Sequence, residues 1–438
     1  MPFFFRMMNT TKQLYALFQQ QGKISTDTRK KLDNTIFFAL SGEHFNGNQF
    51  AGQALEKGAS VVVVDDPSVV VKGDARYFLV KDVLKALQDL ARYHRRHFSC
   101  PVIGITGTNG KTTTKEAVKR VLSSEKQVIA TEGNLNNHIG VPLTLLRLNA
   151  TTDFAVVEMG ANHPGEIEFL CHIAEPTHGL ITNMGKAHLE GFGSLEGVIK
   201  TKKELYDYLA QKGGVAFVNA DDKRLMEYSS GLLRVTYGAA KADFRGRLLE
   251  NTHHLSLVWY DQEQPHTLNT RLYGSYNFYN LLAGIALGRH FGVRPDHIRR
   301  ALETWQPDNN RSQQLVTSSN HVILDAYNAN PESMKMAITD FAHHQFEHPI
   351  LILGDMFELG AEALKEHQAV VELIEKYAFQ SVILVGETFA LFKDRPNVTV
   401  FNNTNEAIEF LKRHPLRHRH ILVKGSRGMK LEQLVPYL

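Results

Sequence analysis

Residues 102–113 carry the densest run of chemistry-bearing types in the chain. Val102-Ile103-Gly104-Ile105 is a short apolar run suited to a buried strand, Gly107 and Gly110 punctuate a turn, and Lys111-Thr112-Thr113 leads into a helical segment, Thr114 to Ser123. Strand, glycine turn and helix in that order set backbone N–H groups and a helix N-terminus around an anion, with a lysine for the outer phosphates. Ile105 stands where the common eight-residue phosphate-loop pattern has its first glycine, so the match is the shorter Gly107-x-x-Gly110-Lys111-Thr112. The expectation is nucleotide binding by Gly107, Thr108, Asn109, Gly110, Lys111, Thr112 and Thr113. The alternative is a glycine-rich strand-to-helix turn that binds nothing.

Other candidates follow apolar runs. Glu158 closes Ala155-Val156-Val157, and a carboxylate at the carboxyl edge of a parallel strand beside a phosphate loop is placed to hold Mg²⁺. An ordinary strand-end acid is the alternative. His188 comes after the strand-like Gly179 to Thr182, where a lone histidine is more often structural. Lys202 falls on a probable helix and, by itself, reads as solvated. Asn277 and Asn280 open a helix with two amides on one face, able to read an adenine edge or simply to cap. Three polar loops, Asp325 to Pro331, Gly354 to Gly360 and Lys424 to Gly428, each lie past a strand, and three on one sheet edge make a ligand crevice.

The elements that must hold these residues fall into three blocks. At 438 residues two or three domains are expected. The first block, 1–98, has strand-like Thr35 to Leu40, a helix from Gln49 to Lys57, the β-branched run Ser60 to Val64 and a helix from Leu84 to His97. The second, 99–308, alternates strands and helices as a parallel sheet does, with strands also at Val215 to Val218. Its residues 233–273 read as an antiparallel appendage, followed by a helix from Asn277 to Phe291 and a polar linker, Gln306 to Asn310. The third, 309–438, restarts the alternation with strands near 322–324, 350–353, 382–385 and 421–423 and helices near 333–341, 362–377 and 405–412. It reads as a small Rossmann-like domain without the dinucleotide glycine fingerprint.

Bulk properties exclude several classes. Hydrophobic content of 43%, charged content of 22% and a formal charge of +3 describe a globular protein, not a polycation. The cluster His94-Arg95-Arg96-His97 is not interleaved with aromatics, so a helix end is expected there and no nucleic-acid site. Cys100 and Cys171 form no metal or CxxC pattern and suggest buried thiols in a reducing compartment. No run approaches a membrane span, and Met1 to Phe5 is too short for a signal-peptide core. A cytoplasmic chain with no integral membrane segment is expected.

Taken in order, many segments resemble the Mur ligase family over nearly the whole chain. They are Thr26-Asp27-Thr28-Arg29, Ala39 to Glu43, Gly107 to Glu116, Gly133-Asn134-Leu135-Asn136-Asn137 on to Pro142, Glu158 to Glu166, Ala187 to Ser194, Asp325 to Pro331, Gly354 to Gly360 and Lys424 to Arg427. The resemblance implies an α/β enzyme of three domains. These are a small α/β N-terminal domain for a uridine nucleotide, a central phosphate-loop parallel-sheet domain for ATP with an antiparallel appendage, and a C-terminal Rossmann-like domain. It implies ATP-dependent ligation of D-alanyl-D-alanine to UDP-N-acetylmuramoyl-tripeptide through an acyl phosphate, in a monomer.

Residue by residue, the resemblance implies Lys111 on the outer phosphates, Thr112 and Glu158 on one Mg²⁺, and His188 on a second. Lys202 would be carbamylated and bridge to that second ion. Asn277 and Asn280 would face adenine, Arg311 a phosphate and Asp325 the ribose. Thr26, Asp27, Thr28, Arg29, Asn134, Asn136 and Asn137 would bind the nucleotide-linked peptide, and Asn328, Asn330, Lys424, Ser426 and Arg427 would line the dipeptide side. Two positions depart from the family pattern: Tyr276 replaces a histidine before Asn-x-x-Asn, and Asn46-Gly47-Asn48 replaces Asp-Gly-His.

Overall fold

The computed structural model describes residues 10–187, 189–249 and 254–438. His188 therefore lies outside the described residues. The chain forms two compact units. One is drawn from residues up to Gly104 with Gln127–Gly160 and Glu168–Thr177; the other comprises Ile105–Lys126, Ala161–Ile167 and His178–Leu438.

The first unit contains a four-stranded parallel sheet in the order Ile24–Ser25, Thr35–Phe38, Ala59–Val64, Tyr77–Leu79. Thr35–Phe38 is buried along its whole length, as a strand covered on both faces requires, and Phe37, Val62 and Val64 pack with Leu32, Ala51 and Ala54. The helix Val83–Arg95 starts where Asp82 accepts from the Lys85 N–H at 2.8 Å. Its basic end is tied down. Arg95 donates to the carbonyls of Ala174, Phe98 and Glu175, and Arg96 pairs with the Glu175 carboxylate at 2.5 Å. A parallel pair, Val128–Ala130 and Phe154–Glu158, brings Glu158 to the end of its strand.

In the second unit, His178–Ile181, Val215–Asn219, Leu233–Gly238 and Phe244–Leu248 pair in parallel, one after another. Ser256–Asp261 and Gln264–Asn269 then continue antiparallel around a tight turn with Gln262 and Glu263 both at positive φ. This corrects the expected appendage. Leu233–Gly238 extends the parallel sheet, and antiparallel pairing begins only between Phe244–Leu248 and Ser256–Asp261. Apolar residues alternate with polar ones along Leu233 to Tyr237, and such alternation marks a strand whichever way its neighbour runs, so the sequence pattern could not distinguish the two.

The third block's sheet has the order Gln313–Val316, His321–Asp325, His420–Lys424, Pro349–Gly354, Val382–Val385, Val398–Phe401, with the first pair antiparallel and the rest parallel. Apolar side chains of Pro331–His343 and Ala363–Lys376 form one core cluster on it, while Ala407 and Leu411 of Thr404–Arg413 belong to another. The last parallel strand inserts between the first two, so the loops leaving His321–Asp325, His420–Lys424 and Pro349–Gly354 are neighbours at one edge. The expected Rossmann-like alternation is present. Among the described residues, no helix is long and apolar enough to cross a membrane.

Phosphate-loop helix Lys111–Ser123 lies against Phe278–His290, a helix buried nearly all round. Gly284 and Gly288 permit that approach: a Cβ on Gly288 would stand 2.2 Å from Val121 Cγ1, and one on Gly284 3.0 Å from the Ala117 Cβ. We expect Gly288→Val to destabilise the fold by about 1–3 kcal/mol through overpacking. Gly52→Ala, on a helix where an added Cβ meets nothing within 4 Å, should be neutral or stabilising by about 0.5–1 kcal/mol. Urea unfolding of both variants checks the contrast, and equal midpoints would contradict the packing argument.

Candidate functional site

The turn between strand Val102–Thr106 and helix Lys111–Ser123 is held by a polar frame from the neighbouring strand end. Thr182 N–H donates to the Thr106 carbonyl at 2.9 Å, and its hydroxyl donates to the Asn109 carbonyl at 2.6 Å. Asn183 accepts the Asn109 N–H and donates to the Asn109 carbonyl, both at 3.0 Å. Thr108 Oγ1 bonds both the N–H and the carbonyl of Gly185, each at 3.0 Å. Gly107 and Gly110 have φ of 141° and 80°, and added Cβ atoms would lie 2.0 Å from Thr182 Oγ1 and 2.5 Å from Asn280 Oδ1. Lys111 Nζ donates to the carbonyls of Gly107 and Thr108 at 2.7 and 3.0 Å. Its ammonium therefore lies over the same turn whose helix N-terminus favours an anion.

Asn277 and Asn280 sit behind this loop. Asn277 Nδ2 donates to the Tyr273 carbonyl and to Ser312 Oγ, and Asn280 Nδ2 donates to Asn277 Oδ1 at 2.9 Å. Asn280 Oδ1 accepts from Thr114 Oγ1 at 3.0 Å, on the phosphate-loop helix. Asn277 makes no side-chain capping bond. Tyr276, where the family pattern has a histidine, bonds Ser312 Oγ at 2.9 Å.

Lys202 is the largest surprise relative to simple residue chemistry. Ser194 caps the helix Leu195–Lys212, and Gly213 ends it in the left-handed region. Val198, Lys202, Leu205 and Leu209 recur at helical spacing on its buried face, and Lys202 is 2% exposed. Burial, then the nearby Lys111 charge, push its pKa down to about 7 against the opposing pull of Glu204 and Glu166. The solvated-lysine reading is thus wrong. The signal that could have corrected it was in the sequence, a lysine standing in an apolar stripe.

In the first unit, Glu158 is 1% exposed and accepts from Asn136 Nδ2 at 2.8 Å, while the Asn136 carbonyl accepts the Gly160 N–H at 2.8 Å. Asn137 Oδ1 accepts the N–H groups of Ile139 and Gly140, and the Asn134 carbonyl takes the Asn136 N–H. Asp27 bonds Arg29 through its backbone N–H, Nε and NH2, and those bonds hold its carboxyl down at about 2. The Thr28 carbonyl accepts from Lys57 Nζ at 2.7 Å.

The three expected loops of the third block do converge. Lys424, 2% exposed, pairs with Asp325 at 2.6 Å and donates to the Asn328 carbonyl at 3.3 Å. Ser426 N–H donates to the Asp355 carbonyl, and Ser426 Oγ accepts the Phe357 N–H at 2.9 Å. Arg311 lies 3.8 Å over the Tyr327 ring with its buried Nε unpartnered, and Arg427 donates to the Tyr327 hydroxyl at 3.1 Å. Asn330 caps Pro331–His343 through a reciprocal pair with Ser333. Sequence reading had missed His367. It is fully buried, donates to the Ala363 carbonyl and accepts the Met356 N–H at 3.0 Å, fixing the loop after Pro349–Gly354.

Family models match in chain order: the Mur ligase family catalytic domain over residues 23–95, the Mur ligase middle domain over 105–288 and the Mur ligase glutamate ligase domain over 310–427. The UDP-N-acetylmuramoyl-tripeptide–D-alanyl-D-alanine ligase of Bacillus subtilis is 33% identical over 94% of this chain and 92% of its own. A crystal structure of MurF from Acinetobacter baumannii aligns with a TM-score of 0.85 at 30% identity, covering 94% of this chain and 92% of that one. MurF ligase from Thermotoga maritima, crystallised with ADP, shares the fold at a TM-score of 0.84 and 24% identity, over 98% of each chain. With three family models matched in order and a relative one-third identical along almost its entire length, the chain belongs to the Mur ligase family.

Proposed function

We propose that this chain is the ATP-dependent ligase that joins D-alanyl-D-alanine to UDP-N-acetylmuramoyl-tripeptide, giving the pentapeptide nucleotide, ADP and phosphate. Near full-length similarity to ligases named for that reaction carries the reading. We assign residues 1–98 to the uridine nucleotide, 99–308 to ATP and 309–438 to the dipeptide. Thr26, Asp27, Thr28, Arg29, Asn134, Asn136 and Asn137 serve the nucleotide-linked peptide, and Asn328, Asn330, Lys424, Ser426 and Arg427 the dipeptide side. A monomer acting in the cytoplasm fits this role.

The chemistry begins with a carboxylate attacking a triphosphate, two anions that repel. Lys111 leaves its loop carbonyls for the outer phosphates, and the loop N–H groups and helix N-terminus take the remaining charge. Arg311, whose buried Nε lacks a partner, supplies a further donor for phosphate. Asp325 takes the ribose, while Asn277 and Asn280 take the adenine side and brace the loop from behind. Phosphoryl transfer gives an acyl phosphate; the dipeptide amine then attacks its carbonyl carbon, and phosphate leaves as the amide forms.

Thr112 and Glu158 are proposed to hold one Mg²⁺, and His188 and Lys202 a second. Bound there, these ions would neutralise the meeting anions. Lys202 fits this set as a carbamate. A buried ammonium facing Lys111 is a poor cation ligand, yet its lowered pKa leaves a neutral amine near pH 7. That lone pair attacks the carbon of CO₂, the proton goes to solvent, and a ligating anion results.

Three measurements test this reading. Phosphate release from ATP and UDP-N-acetylmuramoyl-tripeptide should require D-alanyl-D-alanine; release with a single amino acid instead would reject the acceptor. Lys202→Ala should nearly abolish turnover and be partly rescued by a short carboxylic acid, so full activity would remove the bridging role. After CO₂ depletion, activity restored at fixed dissolved CO₂ should return about ten-fold faster at pH 8 than at pH 6. The amine is mostly protonated below a pKa of about 7 and mostly neutral above it. A pH-independent recovery rate would contradict the carbamate.

A further inference from the structure

The start of the helix Pro331–His343 reaches the phosphate loop through its cap residue Asn330, and the Gly185 backbone beside that loop through Glu332. Asn330 uses Oδ1 to accept the Ser333 N–H at 2.9 Å and Nδ2 to donate to Asn109 Oδ1 at 2.8 Å. Asn109 Nδ2 points back to Asn330 Oδ1 at 3.4 Å. Glu332, two residues on, crowds Gly185 so closely that a Cβ there would sit 1.6 Å from its Oε2. Gly185 is the residue whose backbone bonds Thr108. Lys186, next along, pairs with Glu366 at 3.0 Å.

We infer that the Asn109–Asn330 amide pair is a positioning device that couples the phosphate loop to the dipeptide loop Asp325 to Asn330. The inference rests on the ligase reading for the identity of the second substrate. Asn109 already has its N–H and carbonyl held by Asn183 and Thr182. Its side chain is thereby fixed relative to the anion nest. Asn330 ends the loop that carries Asp325 and Asn328, so the fixed amide of Asn109 sets where that loop ends through one amide contact. A neutral pair suits this task, because salt screens it far less than an ion pair. Neither side chain need touch the reacting atoms.

Separating this role from helix capping is possible because serine keeps a capping oxygen but is too short to reach Asn109. We would compare Asn330→Ser, Asn109→Ala and the double variant with the unaltered chain. The readouts are KM for D-alanyl-D-alanine, equilibrium binding of adenylyl imidodiphosphate, and the thermal midpoint. Each single variant should raise the dipeptide KM about five-fold, which is ~1 kcal/mol at 1.4 kcal/mol per decade. The double variant should be no worse than either single one. Asn330→Ser should also weaken the nucleotide analogue about five-fold with its thermal midpoint unchanged, because the phosphate loop loses the contact that braces the Asn109 amide. Unchanged KM and analogue affinity in Asn330→Ser, or effects that multiply in the double variant, would overturn the coupling. If the unaltered chain releases no phosphate with D-alanyl-D-alanine, the ligase reading fails, while the analogue affinity still decides the pair.

Discussion

The phosphate loop turns where it does because two side chains are missing. At Gly107 the backbone passes so close to Thr182 that an alanine would collide with its hydroxyl, and at Gly110 the same holds for the Asn280 amide. Both glycines also adopt positive φ, which L-residues with a Cβ avoid. Closeness of this kind lets Thr182, Asn183 and Gly185 fix the loop from one side while Asn280 and Thr114 fix the start of its helix. A rigid turn presents preorganised N–H dipoles to an anion, and preorganisation is what makes such dipoles effective.

Positive charge is the second constraint, and it acts against itself. Lys111 is needed over the loop, yet it lies near enough to Lys202 to depress that pKa. A buried ammonium beside another cation is unfavourable, and the chain holds it on the buried face of a well-capped, eighteen-residue helix. A lysine kept there as a plain cation would be a liability. The proposed carbamate would remove the repulsion and turn it into attraction, which would give a physical reason for this residue at this place.

Much of this was legible in the sequence because local pattern and tertiary role coincide. Apolar runs followed by polar loops located the strands near Glu158, Asp325 and Lys424, and the glycine spacing located the anion turn. Other features were opaque for identifiable reasons. Leu233–Gly238 alternates apolar and polar residues as strands of either pairing do, so its parallel pairing was invisible. The partners of Asn277, Asn280 and Asn109 come from segments tens to hundreds of residues away, and an amide's type does not announce its partner. Arg311 and Arg427 both engage Tyr327, which reads in sequence as one aromatic in a polar loop. Lys202 is different: its place in the apolar stripe Val198, Leu205, Leu209 is plain in the sequence, and there spacing outranks charge as the guide to burial.

The ion pair of buried Lys424 with partly buried Asp325 shows why the third sheet's edge tolerates so many polar groups. Taking two charges out of water is unfavourable, and an apolar pair of similar volume is often at least as stable. Stability alone therefore gives little reason to keep them. Their position gives a better one. Lys424 ends the strand inserted at the switch point, Asp325 ends its neighbour, and Lys424 also holds the Asn328 carbonyl. An ion pair with a directional third bond sets the relative height of two strand ends and the path of the loop between Asp325 and Asn330. Hydrophobic packing, being non-directional, would leave that path loose. The same loop ends at the Asn330 cap, so the geometry fixed at one end by charge is handed on at the other by a neutral amide.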